Sequence, residues 1–466
     1  MNGILSLAGH VPHHRLRRDR IAEVVGGSAG SGTRAVASYD EDATTMGVAA
    51  ARRALAGATV APGALWFATA SPPYLDKTNA TAIHAATRLD RATPAMDMGG
   101  APRSGIGALV AALRQSTTTL VVAADVRTGL PRSTDERDGG DGAAAVLVGS
   151  ADDGPLLAEV LGIGTTTEEF LDRWRSPGDD RTKAWEERFG ETRYVPLATE
   201  AVEAALKDAG LTADDVDVAL VTGMHARAVA RARKQIGIES GDDLATTVGN
   251  TGTAHPLLLL ANAVESAAPE TTILLVSLAD GADAIVLRTT SAVADWTPHR
   301  PVATQISLGD DDLAYADFLA WRGMLTPEPP RRPEPARASA SAAARSTDWK
   351  FGFVGSTDPG GAVHLPPARV SFADGTQDEM TPAPMADVPA TITTFTVDRL
   401  AWSPSPPTVF AVLDFDGGGR FACEVTDVDP DAVAIGDRVE MTFRVLNTAD
   451  GIRNYFWKAA PARQVR

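Results

Sequence analysis

DMGGAPRSGIGALVAAL (97–113) and VGNTGTAHPLLLLANAV (248–264) are two versions of one arrangement, a glycine-bearing turn that opens a helix of small and apolar residues. Their surroundings repeat as well. Before the first, Val48, Ala51 and Leu55 recur at helical spacing and run into the apolar strand LWFAT (65–69). Before the second, Val202, Ala205, Leu206 and Ala209 share a helix face and lead into the strand VALVTG (218–223). Two apolar strands then close each copy: TLVVAAD (119–125) and GAAAVLVG (142–149) in the first, TILLVSL (272–278) and DAIVLR (283–288) in the second. A polar insertion, VRTGLPRSTDERDG (126–139), separates the first pair. Elements repeated in this order indicate an internal duplication. Strands alternating with amphipathic helices predict an α/β architecture, with mixed sheets covered by helices. In such a layout functional groups collect at strand ends, where the glycine turns lie.

At 466 residues the chain exceeds what one hydrophobic core usually spans, so several domains are expected. The segment LTPEPPRRPEPARASASAAARS (325–346) has five prolines within 327–335 and then an Ala/Ser run, the composition of a semi-rigid linker. It separates 1–324, which the duplication divides into 1–160 and 161–324, from a differently patterned 347–466. TITTFTVDRLAW (391–402), TVFAVLDF (408–415), GRFACEVTDV (419–428) and RVEMTFRVL (438–446) are rich in β-branched and aromatic residues. Turn chemistry separates them, which predicts a small all-β barrel.

A net charge of -17 gives a field that repels nucleic-acid phosphates and anionic lipid, so neither is expected as a partner. An anionic ligand would need a local basic patch. No apolar run approaches the ~20 residues of a membrane span, and in MNGILSLAGHVPHHRLRRDR the charges follow the apolar run instead of preceding it, unlike a secretory leader. The single cysteine, Cys423, rules out an intramolecular disulfide and a cysteine-built metal site; a cytoplasmic location is the expectation. Alternating with Phe421 and Val425 on one strand face, Cys423 reads as a core residue.

ASYDEDATTMGVAAARRAL (37–55), SPPYLDKTNATAI (71–83), DMGGAPRSGIGAL (97–109), GGDGAAAVLVG (139–149) and GNTGTAHP (249–256) resemble the thiolase superfamily, in particular hydroxymethylglutaryl-CoA synthase and ketoacyl synthase III. FLDRWRSPGDD (170–180) and WEERFGETRYVPLA (185–198) add to the likeness, which spans nearly all of 1–324. It implies a duplicated thiolase-like αβαβα core, a CoA thioester as substrate or ligand with no other cofactor, and a homodimer. FTVDRLAWSPSPP, GGGRFACEVTDVDPDAVAIGDRVEMTFR and YFWK resemble the acyl-CoA-associated OB-fold family, whose barrel usually follows a zinc ribbon with two C-x-x-C pairs. Thr357, Gly360, Ser371 and Asp374 stand where those cysteines would be, so no metal is expected.

In the thiolase-like pattern D-x-x-x-x-C-x-x-G, Asp97 and Gly105 frame the nucleophilic cysteine, and that position is Pro102. Proline supplies neither a nucleophile nor the backbone N–H that the family cysteine gives to an oxyanion hole. Read without the resemblance, Pro102 is a favourable helix start. Ala70 and Ser71 occupy the neighbourhood of the synthase acid/base glutamate. Counting back from Gly237, the family histidine falls on Thr222, with His225 three residues on; His225 either reaches the site or caps a helix. Asn250 matches the asparagine that hydrogen-bonds a thioester carbonyl, and its alternative role is turn geometry. His255, before Pro256, is an acid/base or a structural group. The likeness also places substrate contacts at Arg103, Gly142 and Gly281.

Two functions follow from the resemblance. One is an acyl-CoA-binding protein without a nucleophile, a pseudoenzyme or accessory subunit of a thiolase-type complex. The other is an acyl-CoA aldolase or retro-aldolase, or another acyl transfer that needs no acyl-enzyme, around Asn250 with His225 or His255. Single-stranded nucleic-acid binding by the barrel would need basic grooves, and that segment is acid-rich.

Overall fold

The computed structural model describes residues 2–28, 30–179, 181–328 and 331–463. Its contacts divide the chain into two units: Met1–Ala37, Met46–Thr81 and Leu89–Tyr315 form the first, and Ser38–Thr45, Ala82–Arg88 and Ala316–Arg466 form the second.

A nine-stranded mixed sheet organises the first unit. Its strands are β1 (Gly3–His10), β2 (Ala64–Ala68), β3 (Ala95–Asp97), β4 (Thr119–Asp125), β5 (Gly142–Gly149), β6 (Ala158–Thr167), β7 (Val218–Gly223), β8 (Thr272–Leu278) and β9 (Gly281–Thr289). They lie in the order β7-β8-β9-β6-β1-β5-β4-β2-β3. The duplication is visible strand by strand. β2 is parallel to β4, β4 antiparallel to β5, and β5 antiparallel to β1. Likewise β7 is parallel to β8, β8 antiparallel to β9, and β9 antiparallel to β6. A short antiparallel pairing of β1 with β6 joins the copies.

The helices α1 (Ala43–Ala56), α2 (Arg103–Arg114), α3 (Glu187–Ala209), α4 (Ala226–Ile236) and α5 (His255–Ser266) follow the same duplication. α2 and α5 are the two helices that open on glycine turns. They bury Ile106, Leu109 and Leu113, and Leu257 through Leu260, in one apolar cluster with Val121, Val146 and Ile285. Their small residues let helices and sheet approach closely. On β6 the approach is tighter still: a Cβ on Gly162 or Gly164 would stand 2.3 Å from the Ala205 carbonyl oxygen or 2.0 Å from that of Ala201, both on α3.

The second unit contains a closed five-stranded barrel of β10 (Ala390–Asp398), β11 (Thr408–Phe415), β12 (Arg420–Val425), β13 (Arg438–Ala449) and β14 (Ile452–Pro461), in the order β10-β11-β12-β14-β13. Phe353, Leu413, Phe443 and Trp457 are buried there. Cys423 is buried too, and burial pushes its thiol up to about 12. A three-stranded sheet, Val354–Thr357, Val363–His364 and Thr381–Pro384, precedes the barrel. No helix among the described residues is long and apolar enough to cross a membrane.

Candidate functional site at the ends of the duplicated strands

Pro102 immediately precedes α2 with φ −54° and ψ −30°, already helical, so the ring fits the conformation the helix start requires. Three residues on, a Cβ on Gly105 would stand 2.1 Å from the Thr253 carbonyl oxygen. Only glycine at Gly105 lets the head of α2 lie against the turn that leads into α5. Arg103, the next residue after Pro102, is a clamp. Its Nε donates to Asp283 Oδ2 at 2.8 Å, Nη1 to the Asp280 carbonyl at 2.7 Å and Nη2 to the Thr166 carbonyl at 2.8 Å. Gly281, at φ +130°, lies beside that clamp, since its Cβ would come 2.7 Å from Arg103 Nη1. Gly142 is elsewhere in the site, next to Thr251, whose Cγ2 a Cβ there would meet at 3.2 Å.

Asp125, at the end of β4 and fully buried, ties the two copies together. Its Oδ1 accepts from the Thr69 hydroxyl at 3.0 Å and the Ala70 N–H at 2.7 Å, and its Oδ2 from the Thr253 N–H at 2.8 Å. Asn250 makes a second tie. Its Nδ2 donates to the Gly223 carbonyl at 3.0 Å, its Oδ1 accepts from the Gly252 N–H at 2.9 Å, and its own N–H donates to the Asp138 carbonyl at 2.9 Å. One amide hydrogen and one carbonyl lone pair of the side chain remain for other partners.

The two histidines differ. His255 is buried and its Nδ1 lies 3.3 Å from both the N–H and the hydroxyl of Thr251. Burial pulls its pKa down to about 4, so the ring is neutral at pH 7. His225 caps α4, its Nδ1 accepting from the Ala228 N–H at 3.1 Å. That bond leaves the proton of the neutral ring on Nε2. Gly190 makes room for Nε2 and for Asp172: a Cβ on Gly190 would lie 2.8 Å from His225 Nε2 and 2.4 Å from Asp172 Oδ1. Burial pushes the Asp172 carboxyl up, against the opposing pull of His225 and Arg173. Tyr194 completes this group, with its ring centroid 6.1 Å from that of His225.

The structure therefore brings Pro102, Arg103, Gly142, Asn250, His255 and Gly281 around the α2 head and the 250–255 turn, and His225 joins through the strand that ends at Gly223. Asp125, Asp172 and Tyr194 carry no motif that marks them in the sequence. Asp125 ends an apolar strand, and an acid there is a usable signal. Asp172 sits in a stretch whose polarity reads as ordinary loop. Chemically, the arrangement offers an amide donor, a neutral buried imidazole and a histidine beside a carboxylate. The position before α2 offers no nucleophile.

In the sheet before the barrel, Asp358 accepts from the Ser371 hydroxyl at 2.5 Å and the Ala362 N–H at 2.9 Å, and lies 3.2 Å from His364 Nε2. These bonds, the Ser371 hydroxyl first, pull the Asp358 carboxyl down to about 2. With Thr357, Gly360, Ser371 and Asp374 in place of thiolates, the residues do not fit a structural zinc site. Among the described residues, no group of three or more His, Cys, Asp or Glu is placed to hold a metal.

The family model described as the ChsH2 C-terminal OB-fold domain matches residues 384–444. The hydroxymethylglutaryl-CoA synthase of Aeropyrum pernix is 30% identical over 344 residues, 69% of this chain and 94% of that protein. That of Methanothermobacter thermautotrophicus is 26% identical over 346 residues, 70% of this chain and 99% of the relative. A crystal structure of hydroxymethylglutaryl-CoA synthase complexed with CoA matches with a TM-score of 0.57 and 15% identity, over 68% of this chain and 89% of that one. The duplicated sheet and its two glycine-turn helices, followed by the OB-fold barrel, define a thiolase-like protein with a fused OB-fold domain. Within that class the chain belongs to the hydroxymethylglutaryl-CoA synthase family.

Proposed function

We propose that this protein binds an acyl-CoA thioester beside Asn250 and the α2 head without forming an acyl-enzyme, and serves as an accessory subunit of a thiolase-type complex. The observation that carries this reading is selective loss. Pro102 removes the nucleophile and its N–H, while Gly105, Asp125 and Asn250 still build the surrounding scaffold. A relative of the same family has been crystallised with CoA, which supports the ligand class. β3 is an edge strand of the sheet, and its Met96 is exposed, which supports a homodimer formed along that edge. One buried cysteine suits a cytoplasmic setting. Calorimetric titration with acetyl-CoA and with desulfo-CoA tests the binding. Co-purification from the native host tests the assembly, and recovery of the homodimer alone counts against an accessory role.

A second reading is favoured by one observation, the His225–Asp172 pair with Tyr194 nearby. A histidine with its Nε2 beside a carboxylate can exchange a proton with a β-hydroxyl, as retro-aldol cleavage of a β-hydroxyacyl-CoA requires. Incubation with β-hydroxyacyl-CoA and β-ketoacyl-CoA thioesters decides it: no turnover above buffer, alone or with a co-purified partner, removes this reading.

A further inference from the structure

Two turns in the sheet before the barrel carry the positions where the resemblance places a pair of C-x-x-C motifs. The first turn, 358–362, joins Val354–Thr357 to Val363–His364, with Thr357 opposite Val363. The second, 371–376, is closed by the antiparallel bridge between Val370 and Gln377. Each turn is bonded to itself: the Asp358 N–H donates to the Ala362 carbonyl at 3.1 Å, and the Ser371 N–H to the Thr376 carbonyl at 2.9 Å. The turns also face each other, since a Cβ on Gly360 would lie 4.0 Å from Asp374 Oδ2. In a structural zinc site the metal holds such turns together, as a cation ringed by electron-pair donors. Thr357, Gly360, Ser371 and Asp374 provide no thiolate, so another device must join the turns.

Between the turns lies the reverse arrangement, an anion ringed by proton donors. Asp358, Ser371 and His364 are all buried. Asp358 Oδ1 accepts from the Ala362 N–H at 2.9 Å, within the first turn. Its Oδ2 accepts from the Ser371 hydroxyl of the second turn at 2.5 Å and lies 3.2 Å from His364 Nε2 on the adjoining strand. An ionised carboxylate only accepts, so the imidazole proton belongs on Nε2. Ser371 Oγ in turn accepts from the N–H groups of Ala373 at 3.0 Å and Asp374 at 3.3 Å, which anchors the second turn to the same point. Hydrogen bonds to an ionised acceptor are roughly twice as strong as neutral ones, and burial removes the competition of water. We propose that the Asp358 carboxylate takes over the joining role of the zinc ion, so that this sheet closes without metal. Ser371, at a cysteine position, donates a proton to an anion where a thiolate would donate electrons to a cation. This inference is independent of the acyl-CoA reading above.

Hydrogen exchange of the full-length protein, read on peptides that resolve 358–362 from 371–376, tests the connection across the gap. Asp358→Ala should speed exchange in 371–376, and Ser371→Ala in 358–362, each by about tenfold or more, while β10–β14 stay as protected as in the wild type. Because both substitutions break the same bond, in either turn the double variant should exchange no faster than the faster single one. Ser371→Ala, which deletes one hydroxyl, decides the matter if Asp358→Ala unfolds the barrel as well. Elemental analysis of the purified protein should find no stoichiometric zinc, and EDTA should leave exchange in both turns unchanged. Effects confined to the substituted turn, or effects that add in the double variant, overturn the proposal. Stoichiometric zinc, or faster exchange in EDTA, overturns it too, because a metal then holds the turns.

Discussion

At the level of single residues, Pro102 and Cys423 make a clean comparison. Cys423 is buried, with its thiol pushed up to about 12, so native protein should react slowly with iodoacetamide. Pro102→Cys places a thiol at the start of a twelve-residue helix, where the dipole favours the thiolate. The variant should alkylate at least about tenfold faster than the wild type, with the label confined by peptide mass mapping to the substituted position. His255 supplies a second test. Burial lowers its folded pKa from 6.5 to about 4. The stability it contributes is therefore complete above pH 6.5 and is lost as pH falls towards 4, up to about 3 kcal/mol. Glu265 acts oppositely, because burial raises it from 4.5 to about 7, so its contribution is complete below pH 4.5 and is lost as pH rises through 7. Urea midpoints from pH 4 to 6.5 should fall less steeply on acidification in His255→Gln than in the wild type. Residues at this scale were legible where a motif frames them, as Asp97 and Gly105 frame Pro102. Asp172 was not, because its meaning depends on Gly190, which is unremarkable alone and makes room for both Asp172 and His225.

At the level of elements, two glycines of α2 have opposite expected effects. A Cβ on Gly105 would meet the Thr253 carbonyl oxygen at 2.1 Å, whereas nothing lies within 4 Å of one on Gly107. Gly105→Ala should destabilise the first unit by about 1–3 kcal/mol through overpacking. Gly107→Ala should stabilise it by about 0.5–1 kcal/mol, since alanine is the better helix former. Thermal denaturation of the two variants beside the wild type reads the signs directly. The same contrast explains what the sequence disclosed. The apolar strands β2, β4, β5, β7, β8 and β9 and the helices α2 and α5 stand out because they carry long runs of buried apolar residues. β6 does not, since its Gly162 and Gly164, needed for the approach of α3, dilute the strand signal. β1 reads as a short apolar start until β5 is found beside it.

At the level of the whole chain, the acid run DED at 40–42 is the least predictable feature. In sequence it looks like a solvated turn before α1, inside the thiolase-like half. In the structure Ser38–Thr45 belongs to the unit that contains the barrel. Asp40 Oδ1 accepts from Arg444 Nη1 at 2.9 Å, and Asp42 Oδ2 from the Tyr455 hydroxyl at 2.7 Å, across more than 400 positions of sequence. Lys458 Nζ lies 3.1 Å from Asp40 Oδ2. Burial opposes the charge on Arg444, but Asp427, Glu41 and Asp40 more than offset it, and its pKa is raised. A linker at 325–346 therefore does not delimit what the barrel needs in order to fold. Residues 347–466 produced alone would keep Arg444 and Lys458 while losing Asp40, Glu41 and Asp42. Removing one side of a buried ion network costs about 3–5 kcal/mol, because the remaining charges stay desolvated without their partners. Hydrogen exchange of β13 and β14 amides should accordingly be much faster in the fragment than in the full chain. Asp40→Asn in the full chain should move the same amides in the same direction. Equal protection in fragment and full chain would mean that Asp427 and Glu424 suffice to balance the two cations, and that the acid run is dispensable to the barrel.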